Sequence, residues 1–294
     1  LSGLNASFEN WGAIEQFRWV YRRDSGAGAA DLFLARTDDG EVLGGTGVTF
    51  RRASNQRGVE AKLAIMTGSW VLPAARRKGC FTGLIQTMLG SAIESGSALL
   101  LGFCFKANKS YSRLLAAGFG SIDSAYLRDP QEYEPDSDTP PLESLDVGDR
   151  SSHLTGRPEG HSGFLYDTEQ WREQFFHGPY PKAYLDLPRQ STALVEEAHG
   201  FLRVLALSLG RPDAFPDVLR SLLETARSRK QRLFLFTMLP DMTAEAKSAG
   251  LEEIPGAYIF KIACRTELAK WVDSAETVTE AELGDPRHES YLGP

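Results

Sequence analysis

The sequence predicts an α/β chain, α+β in the finer sense, built as two tandem modules. Three observations lead there. In the stretch Ser69 to Phe81 an apolar strand ends at Pro73, a short basic loop with one glycine follows, and an amphipathic helix opens directly out of it. Around that stretch the order is strand, Asp-Gly hairpin, strand, loop, helix, strand, helix. The same order then returns in the second half: 134 residues separate Ala98 from Arg232, and 132 separate Gly118 from Gly250. A nearly constant offset across several elements marks an internal repeat.

Length and composition set the bounds. A chain of 294 residues is long for one domain and comfortable for two. Hydrophobic content of 42% with 24% charged residues is that of an ordinary globular protein. The net charge of −7 argues against a nucleic-acid partner held by bulk electrostatics. Cys80, Cys104 and Cys264 are odd in number and far apart, and they make no metal spacing with the five histidines. Neither a disulfide framework nor a metal site is therefore expected, and a reducing cytoplasm is. No run of 18 apolar residues and no signal-peptide pattern occurs in the chain, so no membrane partner is expected.

Taken in order, residues 8–23 place Phe8, Trp11, Ile14, Phe17, Val20 and Tyr21 at helical spacing, as in an amphipathic helix docked on a sheet. A glycine-rich turn runs from Ser25 to Gly28. Asp31 to Thr37 reads as a strand, Asp38-Asp39-Gly40 as its turn and Glu41 to Arg51 as its partner. Ala61 to Leu72 is a long strand. The helix from Phe81 is apolar at Leu84, Ile85, Met88, Leu89, Ala92 and Ile93. Ala98 to Cys104 is a continuous apolar run, as a buried central strand would be. Asn108 suits the N-cap of a helix over 109–117, and Gly118 its stop. From Asp129 to Gly163 proline, serine and acidic residues dominate. That gives modules at 1–128 and 164–294 joined by a linker at 129–163.

In the second module, Phe201 to Leu209 and Arg232 to Met238 read as strands. Phe215 to Arg227 and the stretch after Thr243 read as helices, and Tyr258 to Cys264 as the closing strand. Trp171, Phe175, Phe176, His177 and Tyr180 form an aromatic cluster. Core packing explains most of it, with lining of an acceptor site as the alternative, and His177 beside Gly178-Pro179 reads as a surface residue.

The helix start near Phe81 carries the chemistry. No Ser, Thr, Asp or Asn caps it, and Arg76, Arg77 and Lys78 lead into it. Cations at a helix N-terminus oppose the macrodipole, so an anion is expected among them. Free amides, one glycine and three cations suit a phosphate or pyrophosphate. A solvated basic turn is the plainer alternative. At the matching place in the second copy, Gly210 to Phe215, Asp213 adds negative charge and Pro212 and Pro216 remove amide donors.

Val71-x-Pro73-x-x-Arg76-x-x-Gly79-x-Phe81, followed by Leu84-Ile85, resembles the cofactor loop of the GNAT acyltransferase superfamily. That loop reads Gln/Arg-x-x-Gly-x-Gly/Ala, and Phe81 stands where its last small residue would be. Asn108-Lys109-Ser110-Tyr111 after the strand Ala98–Cys104, then Gly118-Phe119, resembles the second GNAT signature. The resemblance implies two GNAT-like modules, each a mixed, mostly antiparallel sheet flanked by helices, the second degenerate. It implies an acyl-CoA co-substrate, most simply acetyl-CoA. Trp70, Val71, Arg76, Arg77, Lys78, Gly79, Cys80, Phe81, Asn108 and Ser110 would hold it, and the acyl group would pass to an amine of a small molecule or peptide. The superfamily's usual tyrosine acid falls on Leu114, which makes Tyr111 the nearest substitute. A glutamate found in many relatives falls on Ile65, so the general base is unassigned. Two other classes fit less well. One is a non-catalytic acyl-CoA-binding protein; the other is a tandem aminoacyl transferase similar to the peptidoglycan-bridging family, whose charged tRNA the acidic composition disfavours.

Overall fold

The computed structural model describes residues 1–7, 12–22, 26–55, 57–134, 139–146, 148–154 and 163–271. Phe8, Trp11 and Ser25 lie outside them. The first half contains α1 (Ser2–Ser7), α2 (Ile14–Arg22), β1 (Asp31–Arg36), β2 (Val42–Ser54), β3 (Glu60–Val71), α3 (Cys80–Glu94), β4 (Leu99–Phe105), α4 (Lys109–Ala116) and β5 (Gly120–Arg128). The second contains α5 (Ser151–Leu154), β6 (Gly163–Leu165), α6 (Thr168–Trp171) with a π-helical turn to Phe176, β7 (Lys182–Leu187), β8 (Ser191–Ala198) and β9 (Phe201–Ser208). It continues through α7 (Phe215–Ser228), β10 (Arg232–Thr237), α8 (Pro240–Ser248), β11 (Glu252–Ile262) and α9 (Arg265–Trp271). No described helix is long and apolar enough to cross a membrane.

The repeat read from the sequence has structural counterparts. β3 and β4 run parallel with α3 between them, and β9 and β10 run parallel around α7. The helix ends match in detail. Phe119 donates its amide to the Leu114 carbonyl at 3.1 Å and Leu251 to that of Ala246 at 3.0 Å. Each closure follows a glycine in the left-handed region, Gly118 at φ 81° and Gly250 at φ 95°. α8 begins at Pro240, three residues ahead of Thr243, because a proline fits the first helical turn where no amide partner is needed.

All these strands belong to one sheet, in the order β1-β2-β3-β4-β11-β5-β10-β9-β8-β7, with β6 against β2. β11, from the second half, lies antiparallel between β4 and β5 of the first. β5 in turn pairs antiparallel with β10 of the second. Each half thus lends its last strand to the other. β11 starts at Glu252, six residues before the Tyr258 expected from the sequence. Pro255 hid that start. Its carbonyl accepts from the Lys106 amide on the β4 side, where pairing begins only at Gly256, so its missing N–H lies beyond the end of that ladder.

Packing fixes the layers. Ile85, Met88 and Ala92 of α3 and Leu114 of α4 are buried against one face beside Leu100 and Cys104. Val218, Leu219, Leu222 and Leu223 of α7 bury a second core that includes Leu142 from the acidic stretch. That stretch is tied down at its start as well. Asp129 is 2% exposed, its amide bonds the Leu233 carbonyl, and its carboxylate pairs with Arg227. Trp171 and Phe175 are buried with Tyr184, Leu194 and Leu205, which is the core role. His177 is exposed and bonds Glu173. Across β7, β8 and β9 runs a buried charge row, with Lys182 Nζ 2.7 Å and Arg203 Nη2 3.1 Å from the Glu196 carboxylate.

Candidate functional site

β3 and β4 pair only over Leu63↔Leu99, Ala64↔Leu100 and Ile65↔Leu101. Past that point β4 continues beside β11 while β3 stays with β2, so a wedge opens between them. A β-bulge sharpens the divergence. Gly47 faces Thr67 and Gly45 faces Trp70, leaving Gly68 and Ser69 opposite Thr46 alone. Gly68 sits at φ 59°, and a Cβ there would meet the Tyr21 hydroxyl at 2.1 Å, so both backbone and space demand glycine. Ser69 Oγ lies 2.6 Å from Thr46 Oγ1. Along the wedge, the β4-facing edge of β3 beyond Ile65 has no strand partner, so its backbone amides face the opening.

The mouth of the wedge is the start of α3. A 3₁₀ turn over Pro73–Ala75 is followed by Arg77 at φ 66° and Gly79 at φ 80°, and Gly79 occupies the N-cap position without a side-chain cap. Holding a non-glycine residue left-handed costs roughly 1–2 kcal/mol. Arg76 donates its amide to Pro73 and Gly83 donates to Gly79. Among the described residues, none of the amides of residues 77–82 has a protein acceptor. A Cβ at Gly79 would meet nothing within 4 Å, so the space above it is open and only its backbone angle demands glycine.

A cavity of about 520 Å³ runs from this mouth into the wedge. Of the residues singled out in the sequence, Trp70 and Val71 line it from β3. Arg76, Arg77, Gly79, Cys80 and Phe81 line it from the loop and the start of α3, and Asn108 and Ser110 from α4. Lys78 is outside the lining. Asn108 occupies the N-cap position of α4, but its side chain makes no capping bond. Its backbone carbonyl accepts from the Tyr111 amide instead, so the side-chain amide is available to the cavity. Leu114 lines the cavity. Tyr111, outside the lining, places its hydroxyl 3.3 Å from Ser121 Oγ on β5.

The lining includes residues that the sequence did not single out. Lys109 and Arg113, four apart on α4, face the cavity with Arg76 and Arg77, and none of the four forms an ion pair among the described residues. Their spacing behind Asn108 was a usable signal. Gly102 inside the apolar run of β4 was another, since a glycine in a strand marks close approach. Ile259 had no local signal, because β11 comes from the other half. Among the described residues, no carboxylate and no histidine lines the cavity. Burial pushes the Cys104 thiol up to about 11, and burial also raises that of Cys80. Both stay protonated at neutral pH and are poor nucleophiles. The arrangement therefore offers free amides and cations at one end, an apolar slot in the middle, and backbone donors along the slot.

No protein-family model and no curated protein sequence matches the chain. Solved structures do match in fold. A GCN5-related N-acetyltransferase of Anabaena variabilis is 13% identical, with 90% of this chain and 70% of that one covered at a TM-score of 0.56. A tandem GNAT protein from the clavulanic acid biosynthesis pathway is 12% identical, with 86% and 89% covered at 0.55. The N-myristoyltransferase of Saccharomyces cerevisiae, solved with bound myristoyl-CoA, is 9% identical, with 86% and 72% covered at 0.60. At these identities the likeness is one of fold, and the fold is that of the tandem GNAT proteins.

Proposed function

We propose that this chain is an acyl-CoA-dependent N-acyltransferase, most simply an acetyltransferase, acting on an amine of a small molecule or peptide. The observation that carries the proposal is the start of α3. Six consecutive amides without acceptors, at the mouth of a wedge lined by unpaired cations, suit the pyrophosphate of coenzyme A. The wedge takes the pantetheine arm, with the Asn108 amide beside it. The neutral amine nitrogen attacks the thioester carbonyl, the C–N bond forms, the C–S bond breaks with its electron pair going to sulfur, and the nitrogen gives up its proton to water as the thiolate leaves. Backbone donors on the free edge of β3 stabilise the oxyanion, and alignment in the slot supplies much of the remaining acceleration. With Leu114 in the slot and the Tyr111 hydroxyl turned to Ser121, the thiolate takes its proton from water.

A second reading is a carrier that holds acyl-CoA without turnover, since among the described residues the lining offers no carboxylate or histidine as a base. Calorimetry with coenzyme A tests the binding, and thiol release from acetyl-CoA with a panel of amines separates the two readings. No binding at millimolar coenzyme A overturns both. Binding without turnover on any amine favours the carrier.

A further inference from the structure

The wedge closes where β3 and β4 meet, just past the paired residues Ile65 and Leu101. The next residues are Met66 and Gly102, and both line the cavity. Gly102 is not in the left-handed region, so its backbone does not call for glycine. The space does. A Cβ built there would stand 2.7 Å from Met66 Cε and 3.6 Å from Ile259 Cδ1. The thioether of Met66 thus crosses the wedge over the bare backbone of β4. Behind it the strands are sealed by Leu100, Leu101 and Ile65, each at most 2% exposed.

We propose that Met66 and Gly102 set the length of acyl group the site accepts, with the Met66 methyl as the end wall of a short-chain pocket. The inference rests on the acyl-CoA reading above. Chain lengths place the acyl group there. The pantetheine arm from pyrophosphate to sulfur has about twelve bonds, the reach of about four extended residues, or ~14 Å. From Val71, at the mouth, to Met66 is five residues of strand, or ~16 Å. With the pyrophosphate on the α3 amides, a little outside Val71, the thioester falls near Thr67 and Gly68 and the acyl chain points at Met66. An acetyl group stops short of the methyl. A longer chain must displace it, and the unbranched, flexible thioether yields only by leaving its seat over Gly102.

The two residues predict opposite changes. Calorimetry would compare free coenzyme A with acetyl-, butyryl-, hexanoyl- and octanoyl-CoA in the parent, Met66→Ala and Gly102→Ala proteins. In the parent, affinity falls at least about tenfold between acetyl- and hexanoyl-CoA. Met66→Ala tightens hexanoyl-CoA at least about tenfold over the parent, since each methylene given an apolar seat is worth that order. Gly102→Ala drives the methyl into the slot and weakens acetyl-CoA about tenfold relative to free coenzyme A. Free coenzyme A, which ends at the thiol, binds all three proteins within about twofold. Should Met66→Ala fail to fold, Met66→Val carries the same prediction with a smaller shift. Loss of free coenzyme A binding by the parent would overturn the acyl-CoA reading itself. Normal coenzyme A binding with an unchanged length profile in both variants would overturn only the role of this pair.

Discussion

The starts of α3 and α7 occupy the same step in the order of strand, loop and helix, yet their contents are opposite. α3 opens from a left-handed glycine with free amides and with cations that have no carboxylate partner among the described residues. At α7 the protein supplies its own anions. Asp217 in its first turn pairs with Arg189 at 2.9 Å and Arg220 at 3.3 Å, and Asp213 pairs with Arg211 at 3.0 Å. Gly210 donates its amide to Ser191 Oγ, and a Cβ on it would stand 2.2 Å from the Arg189 carbonyl oxygen. A helix that only has to fold balances its own terminus with anions. One left open, with positive charge added, gives up that stability to a ligand. On the proposed reading, the same strand–helix–strand frame serves support in one half and binding in the other.

The largest effect should come from denying the halves their shared strand. A chain ending at Gly148 lacks β11 and leaves β4 and β5 without the neighbour that joins them. It should show no cooperative unfolding transition and no coenzyme A binding. Full affinity in that fragment would mean that the second half lends nothing to the first.

Next comes the buried charge row of the supporting half. Glu196→Gln takes the carboxylate from the buried Lys182 ammonium and should cost about 3–5 kcal/mol in urea unfolding. Coenzyme A affinity of the folded variant should be unchanged, because the row lies outside the cavity lining. A shift in affinity would tie the two halves together more closely than the contrast between them allows.

The binding half responds to its own glycine. Gly79→Asp adds a left-handed strain of roughly 1–2 kcal/mol and a charge facing the phosphates, and should weaken coenzyme A about 100-fold, or ~2.8 kcal/mol. Asp213→Gly should leave the stoichiometry at one, since Arg189 and Asp217 still occupy that terminus. Two cofactors per chain would break the comparison.

Tyr111→Phe removes only the hydroxyl bonded to Ser121. Turnover should change less than about threefold, and a fall of about 100-fold or more would return the acid role to Tyr111.

The smallest effect is a pH slope in the supporting half. Burial first, and then Arg203, hold the His199 pKa below its ordinary 6.5, against the opposing pull of Glu196. Its Nε2 is 2.8 Å from the Tyr180 hydroxyl. In the unfolded chain His199 gains its proton at about pH 6.5, whereas the native protein takes it up only at lower pH. Stability should therefore fall as pH drops from about 6.5 through the native pKa, with no contribution above that window. His199→Gln should flatten the slope, and an unchanged slope would assign it to other groups.

What could be read from the chain alone was what neighbouring residues decide. Helical spacing located α3 and α7, Gly118 and Gly250 gave the matching stops of α4 and α8, and the lack of a capping side chain near Phe81 marked the open terminus. Those are interactions within a turn or two of the chain, so a linear pattern contains them. Tertiary structure decided the rest. The insertion of β11 between β4 and β5 joins residues more than a hundred apart, and only packing chooses among such pairings. The same holds around α4. Its sequence offered Asn108 as a cap and Tyr111 as an acid, but the docking of the helix on the sheet turned the Asn108 side chain away from capping and the Tyr111 hydroxyl toward β5. Met66 over Gly102 belongs to this second class, because two strands must diverge at that point before either residue has a wedge to close.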